Sequence, residues 1–370
     1  MTPPTQTIPT PLTQMLGCRH PVIQTAMGWV ATPELVIAST HAGAFGFLAA
    51  AVMQVPECEA AINTIKRAGD PPFGVNLHSF QVGAERIIDL CIDHEVKAIS
   101  YGRAPSAAII SKVKAKNILC VPTIGAAKHA RKAVDMGADI LVCQGSEGGG
   151  HTGHTPTWLL LAQVLDLDLG VPVVACGGFK DGRGLAAALT FGADGIAMGT
   201  RFLLTQESPT PSSTKQAYLQ AQVTEIPVST RLDGLPQRMV MNERLSDLER
   251  SGTLRLLLLA LSNGWRFKKQ MDSSYSEVLK TAWDMARNSE LTLGQTLMAA
   301  NAPMIIKQAM VDGHPEQGVL PSGQVAGLIN DLPSCAVLME TMAQDALNSL
   351  ARVNQQSKAT HSSPGAGYAV

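Results

Sequence analysis

Between residues 20 and 205 the chain repeats one rhythm: a short apolar run, a glycine or polar break, then a longer segment with Ala and Leu at helical spacing. That alternation predicts parallel strands joined by crossover helices. The candidate strands are VIQTAM (22–27), FGFLAA (45–50), FGVNLH (73–78), AISYG (98–102), ILCVPTI (118–124), DILVCQ (139–144), VPVVAC (171–176) and GIAMG (195–199). They are apolar along their length rather than at every second position, as strands buried on both faces are. The α/β fold class that follows is a closed (β/α)8 TIM barrel.

Two stretches read as one joint used twice, MGADILV at 136–142 and FGADGIAMG at 191–199. In each, a glycine able to turn left-handed closes a helix, and Ala-Asp leads into the next strand. Such joints lie at the bottom of a barrel and serve stability rather than chemistry. After Phe202 the rhythm stops. Residues 205–236 carry Pro209, Pro211, Pro227 and Pro236 among many Ser and Thr, and 241–310 reads mainly as helix, as in LSDLERSGTLRLLLLAL and SEVLKTAWDMARN. The expected organisation is a barrel formed by 10–205 plus 311–350, a helical substrate-binding domain at 206–310 packed over its mouth, and a disordered tail at 351–370. The amphipathic stretch 323–350 is then the last barrel helix, reached after the insertion.

Composition narrows the function. Lys+Arg 29 against Asp+Glu 30 leaves a net charge of -1, which argues against a nucleic-acid partner. Seven cysteines without CxxC or Cys/His ligand spacing argue against a disulfide framework or a metal site. The N-terminus MTPPTQTIPTPLTQ lacks a basic start and an apolar core, and no apolar run reaches a membrane span, so the expectation is a cytoplasmic enzyme.

In a barrel of this kind the chemistry sits at the C-terminal ends of the strands. Those ends offer Ala26-Met27-Gly28, Asn76, Gln144-Gly145, Gly177-Gly178 and Gly199-Thr200. Glycines after strands seven and eight suit a phosphate, because backbone N–H groups approach it unobstructed, and a helix starting near Asp181-Gly182-Arg183 would aim its positive end there. The densest signal is QGSEGGGHTGH at 144–154. Its three glycines suit a loop lying flat against a planar ligand. His151 follows directly, and an imidazole exchanges protons near neutrality, which makes it the candidate catalytic residue. His154, His78 and His41 are weaker candidates. The basic group Arg266, Lys268 and Lys269 reads as a solvated helix face, with a clamp for coenzyme A phosphates as the alternative. No GxSxG or GxxxxGK[ST] occurs, which disfavours hydrolase and nucleotide-triphosphatase chemistry.

HPVIQTAMGWVATPEL, FGVNL, VPTIGAAKHARKAVDMGAD, QGSEGGGHTGH, VVACGGFKDGRGLAAALTFGADGIAMGTRFL and PSGQVAG together resemble the 2-nitropropane dioxygenase, or nitronate monooxygenase, family of FMN barrels. The resemblance spans about Pro11 to Leu350. Met27-Gly28-Trp29, EGGGHTG, Asn301-Ala302-Pro303 and Pro321-Ser322-Gly323-Gln324 look most like the branch of bacterial steroid C/D-ring degradation, whose members act on a hydroindane-carboxyl-CoA. The resemblance implies that Ala26, Met27 and Gly28 run along the flavin ring, that Asn76 and Gln144 bond to its edge, and that Lys128 sits near the ring or ribityl chain. It implies further that Gly149 and Gly150 flank the ring, that Gly177, Gly178, Gly199 and Thr200 hold the phosphate, and that His151 is the site histidine. The cofactor implied is FMN, with NAD(P)H as an optional co-substrate and an acyl-CoA as substrate; whether the chain forms a homo-oligomer is left open. Two departures separate it from nitronate oxidases: Gly148, where those tend to carry Ala, and the long helical insertion. Three functions follow for testing: an FMN oxidoreductase forming or reducing an α,β double bond of an acyl-CoA, a nitronate monooxygenase, and a non-catalytic phosphate-ligand sensor.

Overall fold

All eight apolar runs are strands of one closed parallel barrel. The computed structural model describes residues 7–79, 81–102, 104–252, 255 and 301–361. The staves are β1 (Val22–Gln24), β2 (Phe45–Ala49), β3 (Phe73–Asn76), β4 (Ala98–Tyr101), β5 (Leu119–Ile124), β6 (Leu141–Gln144), β8 (Val173–Cys176) and β9 (Gly195–Met198), with β7 (Gly150–His151) outside the barrel in the loop after β6. Closure comes from β9 pairing with β1, Ile23 opposite Ala197 and Gln24 opposite Met198. Several strands end before the apolar run does: β1 stops at Gln24, so Thr25–Met27 leave the ladder.

Ile23, Phe45, Phe47, Ala98, Val121, Val142, Val174 and Ala197 pack together inside the barrel. With so few aromatics in the chain, two on β2 fill much of the space, and small partners make room. Phe47 faces Gly74 across the β2–β3 pair, where any Cβ would collide with its ring. Below, α1 (Pro11–Leu16) plugs the barrel with Leu12 and Leu16, each worth roughly 1.5–3 kcal/mol of burial. Thr10, its N-cap, donates to the carbonyl of Asp194 at 2.8 Å.

The crossover helices are α2 (Pro33–His41), α3 (Val55–Arg67), α4 (Ala84–Asp93), α5 (Ala107–Lys114), α6 (Lys128–Asp135), α7 (Thr157–Leu165) and α8 (Gly182–Phe191). The repeated joint is real and does the same job twice. Gly137 and Gly192 turn left-handed at φ 102° and 111°, and Asp139 and Asp194 accept from the backbone N–H of Cys120 and Val173, each at 2.9 Å. Each aspartate pins the start of its own strand to the start of its neighbour.

After β9 come α9 (Thr200–Leu203), α10 (Ser212–Gln220), β10 (Val228–Ser229), β11 (Gln237–Val240), α11 (Glu243–Arg250), α12 (Asn301–Met310), β12 (Leu320–Pro321) and α13 (Cys335–His361). The helix α13 packs against α8 and α2, the station of the eighth barrel helix. The stretch after 205 carries short strands as well as helices, β11 pairing antiparallel with β10, with β12 and with β7. One expectation needs correction. The segment 351–361, assigned to a disordered tail, continues α13: it is mostly polar, and exposed over 351–356, but lacks any glycine or proline to stop a helix already formed. Most of the two helical runs read at 245–261 and 276–288 lies outside the described residues, as do Arg266, Lys268 and Lys269.

Candidate active site

The C-terminal ends of the strands enclose a cavity of about 410 Å³. Every residue assigned to flavin contact lines it except one, and so does His151. The exception is Lys128, the exposed first residue of α6. His78 also lines the cavity, whereas His41 and His154 do not.

One wall is the chain leaving β1. Thr25 keeps a last ladder bond to Met198, then the N–H groups of Val30 and Ala31 both turn back to the carbonyl of Met27. Inside this turn Trp29 holds φ 61°, a conformation bulky residues avoid. Opposite, the amide of Asn76 is fixed by donation to Ser100 Oγ at 3.0 Å, and the amide of Gln144 donates to the carbonyl of His151 at 2.8 Å. The loop after β6 is clamped from below by Glu147, whose Oε2 accepts from Thr157 N–H at 2.9 Å and Thr157 Oγ1 at 2.8 Å.

The glycines are packed where side chains would not fit. A Cβ on Gly177, already at φ 107°, would lie 2.8 Å from Thr157 Oγ1, and one on Gly199 would lie 3.0 Å from Thr25 Oγ1. The Gly148 position would press a Cβ to 2.8 Å from the Gln144 side chain. The result is a half-apolar slot with bare backbone at one end, of a size within the roughly 300–1,000 Å³ of small-molecule sites. Such a cradle fits a flat ring carrying a phosphate. The anion-binding helix, however, is not α8: Asp181 caps its first turn by accepting from Arg183 N–H at 3.1 Å, and neither Asp181 nor Gly182 lines the cavity. A carboxylate already occupies that end.

At the mouth, β7 and β11 set His151 opposite Gln237. The imidazole is largely open, with its Nε2 2.8 Å from Oδ2 of Asp233, which is buried. The amide nitrogen of Gln237 donates to the same oxygen, and Leu235 N–H donates to Oδ1 at 3.0 Å. Burial, and then the charge of nearby His151, hold the His78 imidazole below its ordinary pKa, so it is neutral at pH 7. Cys176, the thiol on the cavity floor, is pushed up to about 12 by burial and stays protonated. All seven cysteines are unpaired, and among the described residues no cluster of His, Cys, Asp or Glu could hold a metal ion.

Asp233 and Gln237 were not among the sequence candidates. Their only local sign is LDGL at 232–235, which reads as a turn; the Asp233 to Leu235 bond is that turn, and the second carboxylate oxygen finds His151 only through an 82-residue separation. Arg238 ties the same two segments, donating from Nε to the carbonyl of Ser146 at 2.8 Å.

The family model described as nitronate monooxygenase matches residues 9–82 and 78–345. The chain is 47% identical over 343 residues to the (3aS,4S,5R,7aS)-5-hydroxy-7a-methyl-1-oxo-octahydro-1H-indene-4-carboxyl-CoA dehydrogenase of Mycobacterium tuberculosis, covering 92% of this chain and 97% of that one. It is 47% identical over 341 residues to the protein of the same name in Rhodococcus jostii, covering 92% and 96%. A probable nitronate monooxygenase of Staphylococcus saprophyticus is 31% identical over 63% of this chain and 79% of its own. Among solved structures, FabK from Thermotoga maritima superposes with a TM-score of 0.76 at 25% identity, covering 95% of this chain and all of that one. Nitroalkane oxidase from Streptomyces ansochromogenes superposes with 0.73 at 23% identity, over 92% and 99%, a likeness of fold. Among the described residues no helix is long and apolar enough to cross a membrane.

Proposed function

Because the chain belongs to the nitronate monooxygenase family of flavin-dependent oxidoreductases, we propose that it is an FMN enzyme that forms or reduces an α,β carbon-carbon double bond in a hydroindane-type acyl-CoA. The observation that carries this reading is the near full-length 47% identity to two hydroindane-carboxyl-CoA dehydrogenases. The cradle agrees with it. Gly177, Gly178, Gly199 and Thr200 would hold the phosphate, Ala26, Met27, Gly28, Gly149 and Gly150 would flank the ring, and Asn76 and Gln144 would meet its edge.

When bound, the flavin supplies the hydride exchange at the β carbon. The chain supplies the rest. The loop after β1 and the glycines after β6 hold the acyl group against the ring and exclude water from it. His151, open to the mouth and anchored at Nε2, exchanges the proton at the α carbon. His78 lines the same cavity, and burial holds its imidazole below its ordinary pKa.

Replacing His151 by Ala is expected to lower turnover by roughly 10²–10⁴-fold while the protein stays yellow. Anaerobic titration of the purified holoenzyme with a panel of acyl-CoA thioesters, then with NAD(P)H, tests substrate and redox partner by bleaching of the flavin band. The family model also supports nitronate oxidation. Rapid oxygen uptake with propionate 3-nitronate, with no bleaching by any thioester, would replace the proposal by that activity.

A further inference from the structure

The pairing of β7 with β11 brings a buried carboxylate from outside the barrel to the site histidine, and we propose that Asp233 is the positioning residue of His151. By accepting a hydrogen bond from Nε2–H it fixes one imidazole tautomer and leaves Nδ1 as the nitrogen that faces the substrate. The inference rests on the role of His151 given above and adds to it which nitrogen reacts and what sets it.

Hydrogen-bond direction fixes the argument. The Asp233 carboxylate receives three N–H groups, from His151 and Gln237 on Oδ2 and from Leu235 on Oδ1. An ionised carboxylate can only accept, so the His151 nitrogen 2.8 Å away carries a hydrogen. In a neutral imidazole the lone pair is then on Nδ1. The contact of 3.2 Å between Gln237 Nε2 and His151 Nε2 is consequently two donors sharing one acceptor, not a bond between them. Turning the Gln237 amide over would set its oxygen against Oδ2 with no hydrogen between, so the amide orientation is fixed as well.

Packing over-determines this arrangement. Asp233 is 5% exposed at its side chain, Gln237 is buried, and Leu232 beside them is fully enclosed. The turn is held by the Asp233 bond to Leu235 and by Gly234 N–H to the carbonyl of Thr230 at 3.0 Å. The register Gln237 opposite His151 keeps both side chains on one face of the ribbon. His151 itself is 58% exposed toward the mouth, so its orientation comes from this carboxylate rather than from enclosure.

In the direction of desaturation the Cα–H bond would break with its proton passing to Nδ1 and its electron pair becoming the new double bond, the β hydride leaving to a bound flavin as oxidant. The imidazolium that results keeps its Nε2–H on Asp233, whose charge stabilises it. In the reverse direction the same Nδ1–H returns the proton.

Asp233→Asn tests this sharply. Leu235 N–H would hold the new amide oxygen in the place of Oδ1, leaving the amide N–H₂ in the place of Oδ2 toward His151, which forces the Nδ1–H tautomer and removes the base. The holoenzyme variants Asp233→Asn, Asp233→Glu and His151→Ala are compared for bound flavin, for kcat and KM with the acyl-CoA that bleaches the wild type, and for the imidazole ¹⁵N spectrum. Expected are full flavin content, a kcat lowered roughly 10²-fold or more at similar KM in Asp233→Asn, partial recovery in Asp233→Glu, and an Nε2–H spectrum only while the carboxylate is present. Wild-type kcat in Asp233→Asn with an inactive His151→Ala would overturn the inference and leave the histidine assignment standing. Wild-type turnover in His151→Ala would overturn that assignment itself. The ¹⁵N spectrum of unmodified holoenzyme decides even where a variant fails to fold, because an Nδ1–H tautomer there refutes the proposal.

Discussion

Gly149→Ala should damage the protein more than Gly150→Ala, although only the second forces a side chain into left-handed backbone. At Gly149 the backbone angle is ordinary, but an added Cβ would lie 2.5 Å from Gly323 N and 2.6 Å from the carbonyl carbon of Ser322, both main chain. Relief needs a shift of roughly 1 Å, since ordinary contact begins near 3.4 Å. The segment that must move is tied by Ser322 N–H to Arg238 O at 3.0 Å, Gly323 N–H to Thr200 Oγ1 at 2.9 Å and Gln324 N–H to Glu147 O at 2.9 Å. Losing two or three such bonds, at about 1 kcal/mol each, costs about 2–3 kcal/mol. The stiffer unfolded chain of an Ala variant returns about 0.5 kcal/mol. At Gly150 a Cβ meets nothing within 4 Å and φ is 66°, so the cost is about 1–2 kcal/mol of backbone strain less the same return. Urea unfolding of the apoproteins, followed by fluorescence, should put Gly149→Ala lowest, Gly150→Ala between, and wild type highest. A Gly149→Ala midpoint equal to wild type, or above that of Gly150→Ala, would refute the packing argument.

Acid should destabilise the fold through His20, which is 2% exposed, has an unpaired buried Nδ1 and is lowered from 6.5 to about 4, chiefly by burial and then by the charge of Arg19. Its folded form stays neutral while the unfolded chain takes a proton below pH 6.5, so stability is intact above that pH and falls by about 3 kcal/mol as pH drops to about 4. A His20→Gln variant should lack that part of the slope in unfolding measured across this window; parallel slopes would count against it. Lys128→Ala should leave flavin affinity unchanged in an equilibrium titration, because the exposed Lys128 does not line the cavity. A tenfold loss would restore the contact that the family resemblance implies.

The barrel was legible because its signals are local. Each stave is a continuous apolar run, and each joint places a glycine and an aspartate within a few residues of the strand they serve, as Gly137 and Asp139 do. The glycine rims were legible for the same reason, since Gly177-Gly178 and Gly199-Thr200 directly follow the strands whose ends they extend. Strand ends were less so. The run VIQTAM is uniform in hydropathy, yet only its first three residues pair, because beyond Gln24 the chain turns outward around Met27 to line the cavity.

What the sequence concealed is the part assembled from distant segments. Strand β7 is two residues long, too short for any period to announce it, and it exists because β11 arrives from beyond the barrel to pair with it. Asp233 carries a turn's signature, and its turn is real, but that bond uses Oδ1 alone. The other oxygen is committed by tertiary register: shifting β11 by one residue would carry Gln237 to the opposite face and leave the carboxylate and the imidazole without their shared partner. Arg238, bonded to the carbonyls of Ser146 and Ile226, holds that register from both sides of the seam. The barrel therefore supplies the glycine rims and the segments after β9 close the cavity with Ala302, Ile306 and Gly323, while the histidine at its mouth acquires a defined tautomer only when the inserted segment has docked.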